Sequence, residues 1–348
     1  MAKHFKFDVI IGNPPYQDTT LGDNDTFAPP IYNKFMDAAY TVADKVELIH
    51  PARFLFNAGS TPKSWNNKML QDTHFKVLLY ENDCRKMFSN TDIKGGIAIS
   101  YRDANSNFGA IDIFTSPKEL NEILHKVKNF KNFKSMTDIV ITRTAYRLTD
   151  KMHEEHPEAI GQLSKGHAYD MSSNIFDRLP QIFYENIPND SYDYIQMLGR
   201  KNNERVIKFI RKDYVRTTIN TDKYKVVMPR ASGTGDFGEK LGAMIIGNPN
   251  EGTTETFITI GKFATEKEAF SAKKYICTKF CRTMLGVLKT TQDITPEKWQ
   301  YVPMQDFTSN SDIDWNKSIS EIDQQLYKKY GLSQEEIEFI EKNVKEME

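Results

Sequence analysis

Cysteine is scarce in this chain of 348 residues, which holds only Cys84, Cys277 and Cys281. Three thiols cannot staple a disulfide scaffold and no spacing among them offers four zinc ligands, so a reducing, cytoplasmic setting is expected. Cys277 and Cys281 stand at i,i+4 spacing, which suits packed thiols on one helix face better than a metal or redox pair. Long apolar runs are missing as well. The N-terminus, "MAKHFKFDVII", has no signal-peptide core, and no later segment reaches the ~20 apolar residues that a bilayer requires, so no membrane partner is expected. Net charge is almost nil, −1 from 46 basic and 47 acidic residues, which excludes a uniformly basic nucleic-acid binder and directs attention to local patches. Histidine is sparse too. "HEEHPE" (153–158) sets two of the seven at i,i+3 without a third ligand, so no metal is expected. What is present, 39% hydrophobic and 12% aromatic residues, is an ordinary folded composition in a chain long enough for two domains.

Short apolar runs alternate with helical patterns over the first hundred residues. "FDVII" (7–11), "VELIH" (46–50), "FKVLLYE" (75–81) and "GGIAISYRD" (95–103) read as strands. Between the first two lies "IYNKFMDAAYTVA" (31–43), a helix whose Ile31, Phe35, Met36 and Ala39 share a face. Strands separated by helices predict an α/β unit with a largely parallel, doubly wound sheet, whose ligand sites lie beyond the carboxyl ends of the strands. Beyond about residue 107 the rhythm changes to a helix near 116–130, then irregular segments, short strands and basic stretches, without a regular repeat. The last thirty residues read as two helices broken at Gly331, the second capped by Ser333.

One stretch carries chemistry. "FDVIIGNPPYQ" (7–17) ends an apolar strand on two prolines bracketed by Asn13 and Tyr16. Prolines alone would stop the strand and hold the next turn rigid and extended. They do not account for an amide before and an aromatic after.

The tetrapeptide Asn13-Pro14-Pro15-Tyr16 resembles motif IV of the amino-methyltransferases, as found in N6-adenine DNA methyltransferases of restriction-modification systems. "VELIHPARFLFNAG" (46–59) is similar to that family's next strand and turn. "YENDCRKMFSNTDIKGGIAISYRD" (80–103) is similar to the segment that brings a second aromatic to the target base, which places Phe88 there. "YKVVMPRASGTG" (224–235) and "KWQYVPMQDF" (298–307) look more loosely like the recognition domains of the Eco57I-like methylases. The resemblance implies a partial doubly wound methyltransferase sheet, from the Asn-Pro-Pro-Tyr strand onward, followed by a mixed α+β target-recognition domain. The boundaries it suggests are 1–110 for the catalytic half, 111–310 for recognition and 311–348 for a C-terminal helical segment. It further implies transfer of a methyl group from S-adenosylmethionine to the exocyclic amine of adenine in double-stranded DNA. In that reading the Asn13 side chain and Pro14 carbonyl accept the amine hydrogens, Pro15 keeps them fixed, and Tyr16 and Phe88 stack on the extruded base.

In the family's usual order the glycine-rich donor loop precedes this strand, yet six residues precede Phe7. The expectation is a chain that binds donor poorly alone and works with a donor-binding half or partner subunit, or self-associates through an uncovered edge of "FDVII". A permuted donor loop at Gly233–Gly238, "GTGDFG", is the alternative order. DNA contact is expected from residues 200–230, where ten Lys/Arg face three acids. Arg200, Lys201, Lys208, Arg211, Lys212, Arg216 and Arg230 are its candidates, mainly for phosphate. Two other functions fit the same motif: a DNA-recognition component that has lost catalysis, and an RNA or protein-glutamine methyltransferase.

Overall fold

A computed structural model describes residues 7–18, 28–88, 93, 95–289 and 291–347. The chain is a mixed α/β protein with several sheets, divided into two compact units, Met1–His125 and Lys126–Glu348.

The first unit is built from β1 (Phe7–Gly12), α1 (Tyr32–Val42), β2 (Ala43–Pro51), α2 (Lys63–Gln71), β3 (Phe75–Glu81) and β4 (Ile97–Asp103), in the sheet order β1-β2-β4-β3. β1 and β2 are parallel, with Val9 opposite Lys45 and Ile11 opposite Glu47, because α1 carries the chain back across the sheet between them. The expected largely parallel sheet is otherwise corrected. β4 runs antiparallel to both β2 and β3, and among the described residues the return from β3 to β4 contains no α-helical crossover.

Helices cover one face of this sheet. Tyr32 and Met36 of α1 and Trp65, Met69 and Leu70 of α2 pack over Val46, Leu48, Phe75 and Ala98, with Ile10 of β1 against the same core. The buried side of α1 is therefore Tyr32, Asn33 and Met36, and the expected face is corrected at Phe35, which is exposed. Alternation along β1 sends the other set of side chains away from the core. Phe7, Val9 and Ile11 are 53%, 49% and 75% exposed, and Leu78 and Leu79 of β3 are exposed too.

α3 (Lys118–Lys128) spans the division in the sequence. The second unit continues through β5 (Val140–Ile141), β6 (Arg147–Leu148), α4 (Asp150–Glu155), α5 (Ala159–Gln162) and α6 (Ile175–Arg178) to a long hairpin, β7 (Tyr194–Lys201) and β8 (Glu204–Arg211). There follow β9 (Val215–Arg216), β10 (Tyr224–Pro229), β11 (Ile245–Gly247), β12 (Glu251–Thr253) and β13 (Phe257–Phe263). Four helices complete it: α7 (Glu266–Cys277), α8 (Lys279–Gly286), α9 (Ile319–Lys329) and α10 (Gln334–Asn343). Its sheets run β11-β10-β13-β5, β12-β7-β8 and β6-β9.

Cys277 and Cys281 fall on separate helices. Thr278 is extended between α7 and α8, and its hydroxyl accepts from the Cys281 N–H at 3.1 Å. Both thiols are buried, which pushes them above the usual thiol range. α9 and α10 part at Gly331, and Ser333 makes a capping box with Glu336, as the sequence suggests.

Candidate functional site

β1 and β2 end side by side, and the segments leaving their carboxyl ends build one concave site. Asn13 and Pro15 are exposed after β1, while Pro14 and Tyr16 are half-buried. Two prolines in succession remove two N–H donors, so the chain leaves the sheet instead of extending the ladder. The turn is then pinned beyond the prolines. The Tyr16 carbonyl accepts from the Ile31 N–H at 3.1 Å just before α1, the Asp18 N–H donates to the Pro29 carbonyl at 2.9 Å, and Gln17 bridges Pro30.

Beside this turn lies a cavity of ≈ 240 Å³, lined by Tyr16, Gln17, Tyr32, Pro51, Arg53 and Ser60 among others. Its walls come from the ends of β1 and β2 and the start of α1, the position expected of a ligand site in a parallel strand pair. Tyr16 contributes its ring to the neighbouring core, yet its buried hydroxyl completes no hydrogen bond of ordinary geometry. Burial raises the phenol above its usual range, and the adjacent Asn13 side chain pulls the other way.

An aromatic cluster backs the cavity. Tyr32 stacks on His50 with ring centroids 6.1 Å apart, and Phe54 meets Trp65 edge-on at 4.9 Å. The Tyr32 phenol is pushed up to about 12 by burial, against a hydrogen bond with Thr61 and the charge of Arg53. His50 is wholly buried, and desolvation lowers it to about 4. Its Nδ1–H donates to the Pro51 carbonyl at 3.1 Å, which leaves Nε2 to accept from the Ser100 hydroxyl at 2.7 Å. A neutral imidazole thus ties the end of β2 to β4.

Of the expected residues Tyr16 lines the cavity, Asn13, Pro14 and Pro15 form the turn that leads to it without lining it, and Phe88 lies outside it. That side chain is half-buried after the turn Cys84–Lys86, with its N–H bonded to the Cys84 carbonyl at 2.8 Å, and it does not line the cavity. Part of the segment expected to position it, 89–92 and 94, lies outside the described residues. Tyr32 is the second aromatic side chain among the described residues that line the cavity. Nothing local in the sequence marks Tyr32, whereas Arg53 follows the carboxyl end of a parallel strand, where the sheet rule itself points.

The basic segment is divided by the hairpin. On β8, Val206, Lys208 and Ile210 point to one side, and Ile210 and Val206 pack into the core below it. Lys208 therefore turns inward, is 7% exposed and pairs with Glu185. Arg211 is 6% exposed, held by Glu155 at 2.6 Å and Asp213 at 2.7 Å, with its guanidinium 3.5 Å from the Tyr192 ring centre. The expectation of phosphate contact is corrected for these two, whose side chains are buried and already paired with carboxylates of the chain. Arg200 and Arg216 are exposed, and Lys201 is half-exposed. Lys212 and Arg230 lie 3.5 and 2.9 Å from Asp222 and Asp293.

The Gly233–Gly238 loop does not fit a methyl donor. It leads from β10 to β11 without opening a helix. Its anion-accepting N–H groups are filled by the chain itself: Glu239 accepts from Thr234 N–H at 2.7 Å and Gly235 N–H at 3.1 Å, and pairs with Lys289. His153 is bonded through Nε2 to the Ala168 carbonyl, and His156 faces Glu158. Among the described residues no group of His, Cys, Asp and Glu is arranged to hold a metal ion, and no helix is long and apolar enough to cross a membrane.

The family match falls within the first unit. Residues 2–88 match the family model of the Eco57I restriction-modification methylases. Over 94 residues the chain is 33% identical to an "Uncharacterized adenine-specific methylase" of Mycoplasma pneumoniae, covering 26% of this chain and 22% of that protein. Among solved structures, the type IIG restriction endonuclease BpuSI aligns with 94% of this chain and 50% of its own length, at 7% identity and a TM-score of 0.30. The type IIL restriction-modification enzyme MmeI, in complex with DNA, aligns with 97% of this chain and 56% of its own length, at 9% identity and a TM-score of 0.28. The chain thus spans about a fifth of that curated relative and about half of those two enzymes. Over residues 2–88, where the strand, the paired prolines and the cavity beside them lie, this chain is similar to the Eco57I restriction-modification methylases.

Proposed function

We propose that this chain supplies the target-adenine site and DNA-recognition parts of an S-adenosylmethionine-dependent, N6-adenine-specific DNA methyltransferase of a restriction-modification system. The observation that carries the reading is the position of the Asn13–Tyr16 turn at the carboxyl end of a parallel strand, with Tyr16 lining a cavity large enough for a base. Adenine's amine is a poor nucleophile because its lone pair is delocalised into the ring. The Asn13 amide oxygen and the Pro14 carbonyl accept the two amine hydrogens, which favours a pyramidal nitrogen with a localised lone pair. The paired prolines hold both acceptors in place, so little reorganisation is needed when the base arrives. Tyr16 offers the stacking face, a contribution on the order of 1–3 kcal/mol.

The donor belongs, in this reading, to a donor-binding partner seated against β1. Support comes from the outer edge of that strand and from its apolar side chains Phe7, Val9 and Ile11, which are exposed. Phosphate contact is assigned to Arg200, Lys201 and Arg216, with Lys212 and Arg230 exchanging their carboxylate partners for DNA. The test is to express the gene with its genomic neighbours in a host free of adenine methylation and to assay the host DNA. N6-methyladenine is expected with the wild-type chain and none with Asn13→Ala. Methylation that persists in Asn13→Ala, or is absent with both, sinks the reading.

A further inference from the structure

Arg53 is the one charged side chain lining the cavity beside Tyr16 among the described residues. It opens the short turn Arg53–Phe56 that leaves β2. Two separate loops fix its stem. An added Cβ at Gly59 would stand 3.1 Å from Arg53 Cβ and 3.2 Å from its Cδ, and one at Gly95 would stand 2.7 Å from its Cγ. Both glycines hold positive φ, +81° and +87°, so neither position accepts a larger residue without strain. The first loop is itself tied back, with the Ala58 N–H donating to the Arg53 carbonyl at 3.0 Å. The stem is thereby held between two loops, and Arg53 lines the same cavity as Tyr32.

The rest of the lining has two characters. Tyr16, Tyr32, Pro30 and Pro51 contribute rings, and Gln17, Arg53 and Ser60 contribute polar side chains. A planar base joined to an anion matches that division. We propose that Arg53 holds the phosphodiester of the extruded adenine nucleotide while its base lies against Tyr16. The inference rests on the cavity being the target-adenine pocket. A guanidinium offers paired donors in the geometry of phosphate oxygens, and a stem already clamped loses little entropy on binding. Arg53 acts on affinity and on the pose of the base, not on the transferred group.

The full-length chain is titrated by ligand-observed NMR with deoxyadenosine and with deoxyadenosine 5′-monophosphate. The wild type is expected to prefer the nucleotide by about tenfold, a preference that fades with added salt. Arg53→Met keeps an unbranched stem between Gly59 and Gly95 and is expected to lose the preference, binding both ligands equally. Arg53→Lys is expected to retain part of the preference, and it guards against misfolding of the Met variant. Equal binding of the two ligands by the wild type, or a preference that survives in Arg53→Met, overturns the role of Arg53 and leaves the base pocket standing. Failure of the wild type to bind deoxyadenosine, or unchanged binding in Tyr16→Ala, overturns the pocket reading and the inference with it.

Discussion

Wholly buried His50 packs against the Tyr32 and Phe54 rings with both ring nitrogens engaged. Because its pKa falls from 6.5 to about 4 on folding, the unfolded chain takes up the proton first. Its contribution to stability is complete above pH 6.5 and is lost as pH falls toward 4, at most about 3 kcal/mol in all. Urea unfolding at pH 7 and pH 5 should show the wild type losing about 2 kcal/mol more than His50→Phe over that interval. Equal losses would mean that His50 titrates normally. Arg211 presents the opposite case, a cation satisfied by Glu155 and Asp213, which leave its own guanidinium buried but are themselves about a third exposed. Solvent screening moderates the pair, so Arg211→Met should cost about 1–3 kcal/mol in urea denaturation. An unaltered unfolding midpoint combined with weaker DNA binding would restore Arg211 to the DNA-contacting surface.

Among the elements, β1 carries the strongest consequence. A parallel strand at a sheet edge, with Ile11 exposed more than any other large hydrophobic side chain described, is a pairing hazard unless something covers it. The isolated chain should self-associate. In sedimentation velocity, Val9→Lys with Ile11→Lys should shift it to monomer while changing unfolding by no more than about 0.5 kcal/mol. A wild type that stays monomeric at high concentration would show that this edge is protected in another way. Elements also separate what could be read in advance from what could not. The strands of the first unit were legible because each is an apolar run with turn residues around it. The inward turn of Lys208 was not: the charge count over 200–230 set it on the DNA-contacting surface, and only its place on β8 beside Val206 and Ile210 turns it to the core. Nor was the buried side of α1. Phe35 and Tyr32 are both large and apolar, and only the direction in which the helix lies on β2 decides which of them meets the core.

At the scale of the whole molecule, the proposed reading requires a near-neutral chain to concentrate DNA contact in a few exposed cations. Each phosphate contact adds about 0.9 to the slope of log affinity against log salt. Arg200→Ala with Arg216→Ala should therefore lower that slope by about two on non-specific duplex DNA, while Lys208→Met leaves it unchanged. An unchanged slope in the double variant would make those arginines a solvated surface. The sequence by itself determined the part that depends on local covalent geometry and short-range pattern. Two prolines end a strand wherever they stand, an amide and an aromatic beside them are fixed in the same turn, and the motif is complete within four residues. Tertiary structure alone decided what gathers around that turn. Tyr32 opens a helix, Arg53 follows the next strand, and Gly59 and Gly95 come from two further loops, so their meeting depends on sheet order and on the path of the chain between strands. The same holds for charge. Ten basic residues are visible in 200–230, but which of them reach solvent depends on the partners that folding brings to them, Glu185 for Lys208 and Glu155 for Arg211, and those partners are set by packing across the fold rather than by neighbours in the chain.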